Sequence, residues 1–533
     1  MSLSALQESL RQSEARCAQL QAVLQQANAQ LEEKQSRIDA LEEQLALLRA
    51  KRYGRQSEQL SALQGQLFDE AELEQSIRET EQALAAAKGE RRQRPAGDSQ
   101  AAPAKRRALP AHLKRIEIVI DVADEEKRRM GEDWVLIGYD TSEQLAVQER
   151  QYFVKHYKRA KYVPKAPAAP SEDALAPSQG IVVAPRPNVI LPKTLADASL
   201  LAQVITHKFV DALSFYRTIN ILRREGIDIG YSTLCDWPIQ LAERLAPLRG
   251  LLLEYAQSAR RWHLDETTLQ VLDEPGRANH QKSYLWALRA GPPGQEVMLF
   301  HYDERRSFEA LDDWLSAYIK PFRGVIVTDE HGAYNRFAKV HSGILAHGGC
   351  WAHARRRFAD AIKGRRDVSD AHAILKKIAE LYQREASVEQ LEGEAKVQAR
   401  HAKVKPVLEQ IHRAATDMAG RYLNQGLMGE ALRYLLNHWD KLTRFLDYAD
   451  LPLDNNPIEQ AIRPFTVGRR NWLFSGSPRG AHASALMYSL VQTAKLNGWE
   501  PKHYLQTLFE RYPDANNDEQ RRALLPMFLK PDA

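Results

Sequence analysis

Residues 262–267 read Trp-His-Leu-Asp-Glu-Thr, and residues 325–330 read Val-Ile-Val-Thr-Asp-Glu. Both stretches place apolar residues ahead of an acidic pair, with the periodicity of β-strands. The surrounding sequence predicts three antiparallel strands, a helix and two further strands, at 262–272, 283–289, 296–301, 307–318, 324–328 and 344–350. With a second helix before the last strand, this β-β-β-α-β-α-β order predicts an RNase H-like core. Asp265 and Asp329 would meet at one edge of its sheet.

A third acid, Glu459, closes the stretch Asp-Asn-Asn-Pro-Ile-Glu at 454–459. The local sequence also fits a helix start, with Asn456 as N-cap, Pro457 at the first position and Glu459 at the third. The carboxylate could therefore reach back to the Asn456 backbone, or pair with Arg463 four residues later. Neither role excludes a metal ligand. Three other acids are rival ligands: Glu266, Glu330 and Asp454.

Three converging carboxylates would offer oxygen ligands to hard divalent cations. Two such ions about 4 Å apart can clamp an in-line phosphoryl displacement. If Asp265, Asp329 and Glu459 converge in space, we expect an enzyme that cuts and joins DNA.

Composition predicts a soluble, multidomain α+β protein. The chain has 533 residues, of which 44% are hydrophobic and 27% charged, and this length suggests three or four domains. No apolar run has the length of a membrane helix, and the N-terminus lacks the pattern of a secretion signal. The cysteines Cys17, Cys235 and Cys350 are far apart, which favours a reducing compartment.

The basic character is concentrated between Lys88 and Arg115. This segment has nine Lys and Arg against two acids, a balance of +7, whereas the whole chain carries +5. It is also rich in Pro and Ala, which is typical of a disordered linker able to contact phosphates. A solvated linker without a partner is the alternative.

Residues 3–48 carry a heptad repeat with apolar residues at most a and d positions, from Leu3 to Leu48. The segment contains neither Pro nor Gly, and the sustained period predicts a coiled coil over 1–50 and self-association through it. The alternative is a long helix packed on its own domain.

The remaining sequence divides by composition and periodicity. Residues 211–225 predict an amphipathic helix, 226–230 a turn, and Ser232 caps a second helix with Pro238 in its first turn. This is a helix-turn-helix pattern, for which an ordinary helical corner is the alternative. The predicted segments are a helix and basic linker at 51–112, a small β-rich module at 113–165, a Pro/Ala-rich linker at 166–194, the helix-turn-helix-like region at 195–255, core at 256–350, a helical insertion at 351–450, the last core part at 451–480 and C-terminal helices at 481–533.

Several long motifs resemble those of transposases of the insertion sequence 66 family. They are Asp265-Glu-Thr267, Thr328-Asp329 ahead of Gly332-Ala-Tyr334, Cys350-Trp-Ala-His-Ala-Arg-Arg-Arg357, Asp454-Asn-Asn-Pro-Ile-Glu-Gln-Ala-Ile-Arg-Pro464 and Gly468-Arg-Arg-Asn-Trp-Leu-Phe474. The resemblance covers nearly the whole chain. It implies a DDE triad on an RNase H-like fold, with Asp265, Asp329 and Glu459 as the catalytic and metal-binding acids. The expected cofactor is a pair of Mg²⁺ ions, with Mn²⁺ as a substitute.

One departure from the family concerns zinc. The family has a cysteine-based zinc module after the basic linker, but this chain has no cysteine from 18 to 234. We therefore predict no zinc site there, so that the module depends on packing alone. The spacing of His347, Cys350 and His353 is ligand-like, but a fourth ligand is not evident.

Two basic clusters lie beside tryptophans and predict DNA contact, because Arg suits phosphates and aromatic rings stack on unpaired bases. A solvated helix face with a core Trp is the alternative. The predicted DNA-binding residues are Arg355, Arg356, Arg357, Arg463, Arg469, Arg470 and Trp472.

The sequence therefore predicts a DDE transposase acting on element ends and target DNA. The alternative is a non-catalytic DNA-binding regulator or a decayed transposase. The resemblance further implies small companion proteins of the same element, and a bacterial cytoplasmic location, at the nucleoid when bound to DNA. No membrane partner is expected.

Overall fold

The computed structural model describes residues 37–48, 152–162, 182–183, 185–364, 369–422 and 425–529, with positions 21, 25–26, 28–30 and 32–35 ahead of them. Two compact units are present, one formed by 1–90 with 188–533 and the other by 91–187. In the smaller unit, strands β1 (Lys161–Tyr162) and β2 (Val182–Val183) pair antiparallel. β2 lies within the stretch predicted to be a Pro/Ala-rich linker. The helix and basic linker predicted at 51–112 and most of the β-rich module lie outside the described residues.

Four helices precede the sheet: α1 (Ala198–Phe209), α2 (Phe215–Arg224), α3 (Tyr231–Arg244) and α4 (Ala246–Gln257). The first helix of the predicted helix-turn-helix starts later than expected. Ala212 has a φ of 59°, which is left-handed backbone that a helix cannot include. Ser214 then caps α2 by accepting a hydrogen bond from the Arg217 amide.

The second helix of this pair also differs from the prediction. α3 begins at Tyr231 with Gly230 at its N-cap, so Ser232 is not the cap. Pro238 lies well inside α3 rather than in its first turn, and its ring is buried with Trp237 and Leu241 on one stripe. Burial of that stripe offsets the backbone hydrogen bond that an interior Pro removes.

A five-stranded mixed sheet forms the centre of the larger unit. Its strands are β3 (Arg261–Gln270), β4 (Lys282–Ala290), β5 (Val297–Asp303), β6 (Gly324–Val327) and β7 (Ile344–Gly348), with helices α5 (Phe308–Ile319) and α6 (Gly332–Val340) between them. The spatial order is β5-β4-β3-β6-β7. β3 pairs antiparallel with β4 and parallel with β6. The predicted order of these elements is confirmed, and their ends differ from the prediction by at most two residues.

The sheet core follows from the residue pattern of its strands. β6 is apolar and buried throughout, as expected for a parallel strand covered on both faces. It starts at Gly324, where a Cβ would lie 2.3 Å from the Arg260 carbonyl oxygen. Only glycine lets the two backbones approach so closely.

Helices between β7 and residue 453 form one region, called here the helical region. They are α7 (Trp351–Gly364), α8 (Ser369–Ala386), α9 (Gly393–Lys403), α10 (Lys405–Ala419), α11 (Leu427–Asn437), α12 (Trp439–Thr443) and a 3₁₀ turn (Arg444–Asp447). Val325, Val327 and Ala346 of the sheet share one hydrophobic cluster with Trp351 and Phe358 of α7. The helical region is therefore packed directly on β6, which precedes the predicted second acid, and on β7, which follows it.

The chain then returns to the sheet through α13 (Asn456–Trp472), which packs on β3 and β4. α13 is a single helix, longer than the predicted 456–465. The helices α14 (Pro478–Leu496), α15 (Pro501–Arg511) and α16 (Asp518–Arg522) complete the unit. Ser489 and Thr493 of α14 hydrogen-bond the backbone of β5, which protects this edge strand from pairing with another chain.

The N-terminal helix is described continuously over 37–48, and it meets the helical region. The Glu43 carboxylate accepts a hydrogen bond of 2.8 Å from the Leu427 amide, at the start of α11. Glu43, Leu45 and Leu47 are buried there. This end of the helix thus packs on its own unit, the alternative to a coiled coil, while self-association through the preceding residues stays a prediction. No helix in the described part of the chain is long and apolar enough to span a membrane.

Candidate active site

The site lies where the parallel strands β3 and β6 separate. Their ladder ends at the pair His263 and Val327. Asp265 is two residues beyond this pair on β3, and Asp329 is two residues beyond it on the β6 side. The Asp265 carboxylate accepts a 2.9 Å hydrogen bond from the Glu266 amide, and Asp329 accepts one of the same length from the His331 amide. Asp265 within β3 and Asp329 just after β6 therefore lie at one fork of the sheet.

Glu459 enters from α13, but not in the geometry of a helix cap. α13 begins at Asn456 with Asn455 at its N-cap, so Glu459 is the fourth helical residue and the capping-box prediction is wrong. The physical reason is that other side chains accept the hydrogen bonds of the backbone amides at the start of α13. Asp454 accepts from the Asn456 amide, and Cys350 Sγ accepts from the Asn455 amide. The Glu459 carboxylate is left to contact the helical region.

Asn455 fastens the start of α13 to β3. Its side-chain Nδ2 donates to the Leu264 carbonyl at 2.9 Å, and its Oδ1 lies 2.8 Å from His263 Nδ1. Because this amide oxygen can only accept, His263 carries its proton on Nδ1. Burial, with nearby Arg261, lowers the pKa of His263 to about 3, so the ring is neutral. The fully buried Asn455 thus connects the start of α13 to β3 at the fork, next to Asp265.

Asp265 experiences the charges of the other acids. Burial raises its pKa well above the ordinary value, and the negative charges of Glu266, Asp329 and Glu459 raise it further. These carboxylates therefore lie near enough to oppose the ionisation of Asp265. Such an arrangement favours a bound cation, which would relieve the repulsion.

Glu266, the first rival ligand, is engaged on the opposite side of β3. Successive side chains of a strand alternate between faces. Arg306 Nη2 lies 2.5 Å from one Glu266 oxygen, and the Tyr334 hydroxyl donates to the other. Burial and the charge of Asp329 raise the pKa of Glu266. Its two oxygens already have strong partners.

The other two rivals are also paired. Glu330 contacts Lys441 Nζ at 2.7 Å and His438 Nδ1 at 3.0 Å, both from the helical region. Asp454 accepts from the Tyr382 hydroxyl at 3.1 Å in addition to the Asn456 amide. Asp454 connects neighbouring segments, which makes it a poorer candidate for a metal ligand. Both contacts of Glu330 fall on Oε2, whereas its Oε1 is buried without a hydrogen-bond partner among the described residues, so Glu330 stays a rival ligand.

Glu459 is held by two groups of α7. Arg356 Nη2 lies 3.2 Å from Glu459 Oε2, and His353 Nδ1 lies 3.6 Å from Oε1. The second distance exceeds a hydrogen bond, and Glu459 Oε1 is buried without a hydrogen-bond partner in the described residues. No local sequence pattern predicts this pairing, because the partners are about a hundred residues apart.

The predicted DNA-binding arginines of α7 have different surroundings. Arg355 and Arg356 are half-buried, and Arg356 is the partner of Glu459. Arg357 is exposed, with its guanidinium 4.2 Å from the centre of the Tyr434 ring. Of the three, Arg357 is the one whose exposure leaves it open to a phosphate.

The predicted cluster on α13 is similarly divided. Arg469 Nη1 donates to Thr268 Oγ1 at 2.7 Å and to the Thr268 carbonyl, so it attaches α13 to β3. Arg470 is exposed and Arg463 half-buried. Trp472 is half-buried, and the Lys208 ammonium lies 4.9 Å from the centre of its ring.

The acid site fits a hard divalent cation. All three predicted ligands are carboxylates, which suit Mg²⁺ or Mn²⁺, and Glu459 Oε1 is a buried oxygen that lacks a hydrogen-bond donor among the described residues. A second set of ligand atoms, from Cys350, His353 and Glu459, lies within 4.8 Å of one another.

Three family models match this chain. The model described as Transposase IS66 family matches residues 193–483, more than half of the chain. The IS66 C-terminal element matches 489–527. The model described as Transposase C of IS166 homeodomain matches 40–118, the stretch predicted to hold the end of the coiled coil, a helix and the basic linker.

The chain is also similar to curated proteins of Sinorhizobium fredii. Uncharacterized protein y4qI is 29% identical over 531 residues, 97% of this chain and 93% of the relative. Uncharacterized protein y4jD is 30% identical over 434 residues, 80% of this chain and 82% of the relative. Uncharacterized protein y4hP is 27% identical over 496 residues, 90% and 86% of the two chains. With the family matches, these show that the chain belongs to the IS66 family of transposases.

Proposed function

We propose that this transposase cleaves and joins DNA at the ends of its element by a DDE two-metal mechanism on an RNase H-like core. The observation that carries the proposal is the fork between β3 and β6. Asp265 and Asp329 extend past the last paired residues of two parallel strands, and the charge of Glu459 acts on Asp265 from the covering helix. The order β5-β4-β3-β6-β7 supports the same assignment.

Asp265, Asp329 and Glu459 would hold the cations, two Mg²⁺ or Mn²⁺. When bound, such ions activate the attacking oxygen and stabilise charge on the phosphoryl group. The carboxylates supply the oxygen ligands. Asn455 connects β3, which carries Asp265, to α13, which carries Glu459, through its hydrogen bonds to His263 and Leu264. These bonds would set the distance between the two carboxylates.

The exposed arginines Arg357 and Arg470 would position DNA phosphates. Each adds a sequence-independent, salt-dependent contribution to binding. Arg355, Arg463 and Trp472 are less exposed and would contact a strand brought close to the acids. Self-association through the N-terminal helix and small companion proteins of the element belong to the same proposal.

The test is Asp265→Asn in the full-length protein, assayed on a DNA fragment bearing the element end. We expect nicking and strand transfer with Mg²⁺ to be lost while end binding is retained, because the amide keeps the shape and removes the charge. Asp313→Asn, at an exposed acid of α5 paired with Arg305, is the matched control and should cut normally. Normal joining by Asp265→Asn would refute the assignment. End binding by the wild type without metal-dependent nicking would favour a non-catalytic regulator.

A further inference from the structure

We propose that Cys350, His353 and Glu459 form a second metal site, specific for a thiophilic divalent cation such as Zn²⁺, beside the carboxylate site. The sulfur, nitrogen and oxygen ligand atoms lie within 4.8 Å of one another. His353 Nδ1 and Glu459 Oε1 are 3.6 Å apart. Tetrahedral Zn²⁺ with bonds of about 2.0–2.3 Å separates its ligand atoms by roughly 3.3–3.8 Å, so this pair is already at bonding geometry.

The start of α7 arranges two of the ligands. Cys350 directly precedes the helix, and His353 is its third residue, so a three-residue spacing brings sulfur and imidazole to the same end of the helix. Cys350 Sγ accepts a hydrogen bond from the Asn455 amide at 3.3 Å. The His353 backbone amide also points to this sulfur. Burial and the negative charge of Glu459 raise the pKa of the Cys350 thiol, so the thiolate, the form that binds metal, would form together with cation binding.

Two of the three ligand atoms lack other partners. His353 Nδ1 and Glu459 Oε1 are both buried without a hydrogen bond within the described part of the chain. Buried polar atoms normally have a partner, and a cation between them would provide it. The His353 side chain keeps 23% of its surface exposed and Glu459 9%, which leaves an open side where water could be the fourth ligand.

The donor types separate this site from the carboxylate site. Thiolate and imidazole select Zn²⁺ or Co²⁺, whereas Mg²⁺ prefers oxygen alone. Arg356 contacts Glu459 Oε2, the oxygen that does not face His353, so it would not occupy the cation's place. On binding, the Cys350 thiol releases its proton to solvent and its sulfur bonds the cation.

Glu459 belongs to both sites, which gives the second one a regulatory consequence. A thiophilic cation on Oε1 would withdraw Glu459 from the Mg²⁺ ligands and stop DNA cleavage. This consequence rests on the proposed function, whereas cation binding does not.

Binding is tested with Co²⁺ as the probe, added to the full-length protein purified with its thiols reduced. Co²⁺ in place of Zn²⁺ gives a sulfur-to-metal charge-transfer band when a thiolate is a ligand. The chain has three cysteines, so the double variant Cys17→Ser/Cys235→Ser retains Cys350 alone. We expect the band in the wild type and in this double variant, and its loss in Cys350→Ser. Absence of the band from the double variant would overturn the site.

A second variant keeps the metal site testable if Cys350→Ser does not fold. His353→Gln keeps the thiol and removes the nitrogen ligand, and should bind Co²⁺ at least about tenfold more weakly, since even outer partners of a metal site contribute about that much. Unchanged Co²⁺ affinity in a folded His353→Gln protein would exclude the site. In the nicking assay with Mg²⁺, Zn²⁺ should inhibit the wild type at concentrations at least about tenfold lower than Cys350→Ser. Equal inhibition of both would refute the regulatory role, and the Co²⁺ band without any nicking would uphold the metal site while refuting the proposed function.

Discussion

Asn455 is the residue whose loss should reveal how the acid site is held together. Asn455→Ala removes the two hydrogen bonds to His263 and Leu264, and both groups lie in the interior at the end of the β3–β6 ladder. A buried polar group left without a partner costs about 1–3 kcal/mol. Two such groups give a local destabilisation of about 2–6 kcal/mol.

This magnitude predicts a measurable opening of the fork. At about 1.4 kcal/mol per tenfold, even the lower figure raises the opening equilibrium of β3 at least about 30-fold. Hydrogen exchange of the full-length protein should show faster exchange in residues 261–270 and at the start of α13. Mg²⁺-dependent nicking should fall at least about 100-fold, because a misplacement of about 1 Å can cost that much.

The neighbouring Asn456→Ala is the matched control. It removes the same amide from a half-buried position on the first residue of α13. Asn455→Asp keeps the size of the side chain and its acceptor for His263. It loses the N–H that donates to the Leu264 carbonyl, so it tests that hydrogen bond alone. If β3 in Asn455→Ala exchanges no faster than in Asn456→Ala, the amide does not hold the fork and the reasoning fails.

Three further outcomes follow from the same contacts. The pKa of Asp265 is raised in the folded protein, so its ionisation opposes folding, and the contribution of Asp265 to the stability of the metal-free protein should fall as pH rises above the ordinary carboxyl range. Asp265→Asn should remove this pH dependence and raise the neutral-pH melting temperature by about 2 °C or more. Arg356→Gln leaves Glu459 unpaired and should destabilise the metal-free protein by about 1–3 kcal/mol, a difference that shrinks in calorimetry with Mg²⁺. Arg470→Ala should lower the salt dependence of DNA binding by about 0.9 in the log–log slope, whereas Arg469→Ala should chiefly lower stability, because it attaches α13 to β3.

Each of these outcomes has a clear opposite. A stability difference between Asp265→Asn and the wild type that does not grow from acidic to neutral pH without metal would contradict the electrostatic account of Asp265. If Mg²⁺ does not reduce the loss of stability in Arg356→Gln, the cation does not bind Glu459. Equal salt slopes for Arg470→Ala and the wild type would remove Arg470 from the phosphate contacts.

The sheet was predictable because its signals are local. Alternation and apolar runs identified five strands, and the stretches that hold Asp265 and Asp329 carry that information within six residues each. Helix starts were less predictable. Ser232 looks like a cap in sequence, yet α3 starts one residue earlier at Tyr231, because the preceding turn and the buried stripe decide where the helix begins.

Glu459 shows why the rest of the site was not predictable. Its local sequence matches a capping motif, which assumes that the first amides of the helix need that carboxylate. In the folded chain Cys350 and Asp454 satisfy those amides, and Cys350 is about a hundred residues away. The capping role was therefore excluded in part by a tertiary contact, that of Cys350, which no local pattern encodes, and the role of Glu459 as a ligand stays a prediction.

The helical region adds cations that balance the acids at the fork. Arg356 meets Glu459, and Lys441 meets Glu330 immediately after Asp329. Such pairs place positive charge beside the acids and offset part of their mutual repulsion. In the proposed mechanism, a bound metal ion would take over part of this role. Arg356 and His353 lie on the same helix as the exposed Arg357. DNA bound to Arg357 would therefore shift α7, and with it the two side chains that contact Glu459.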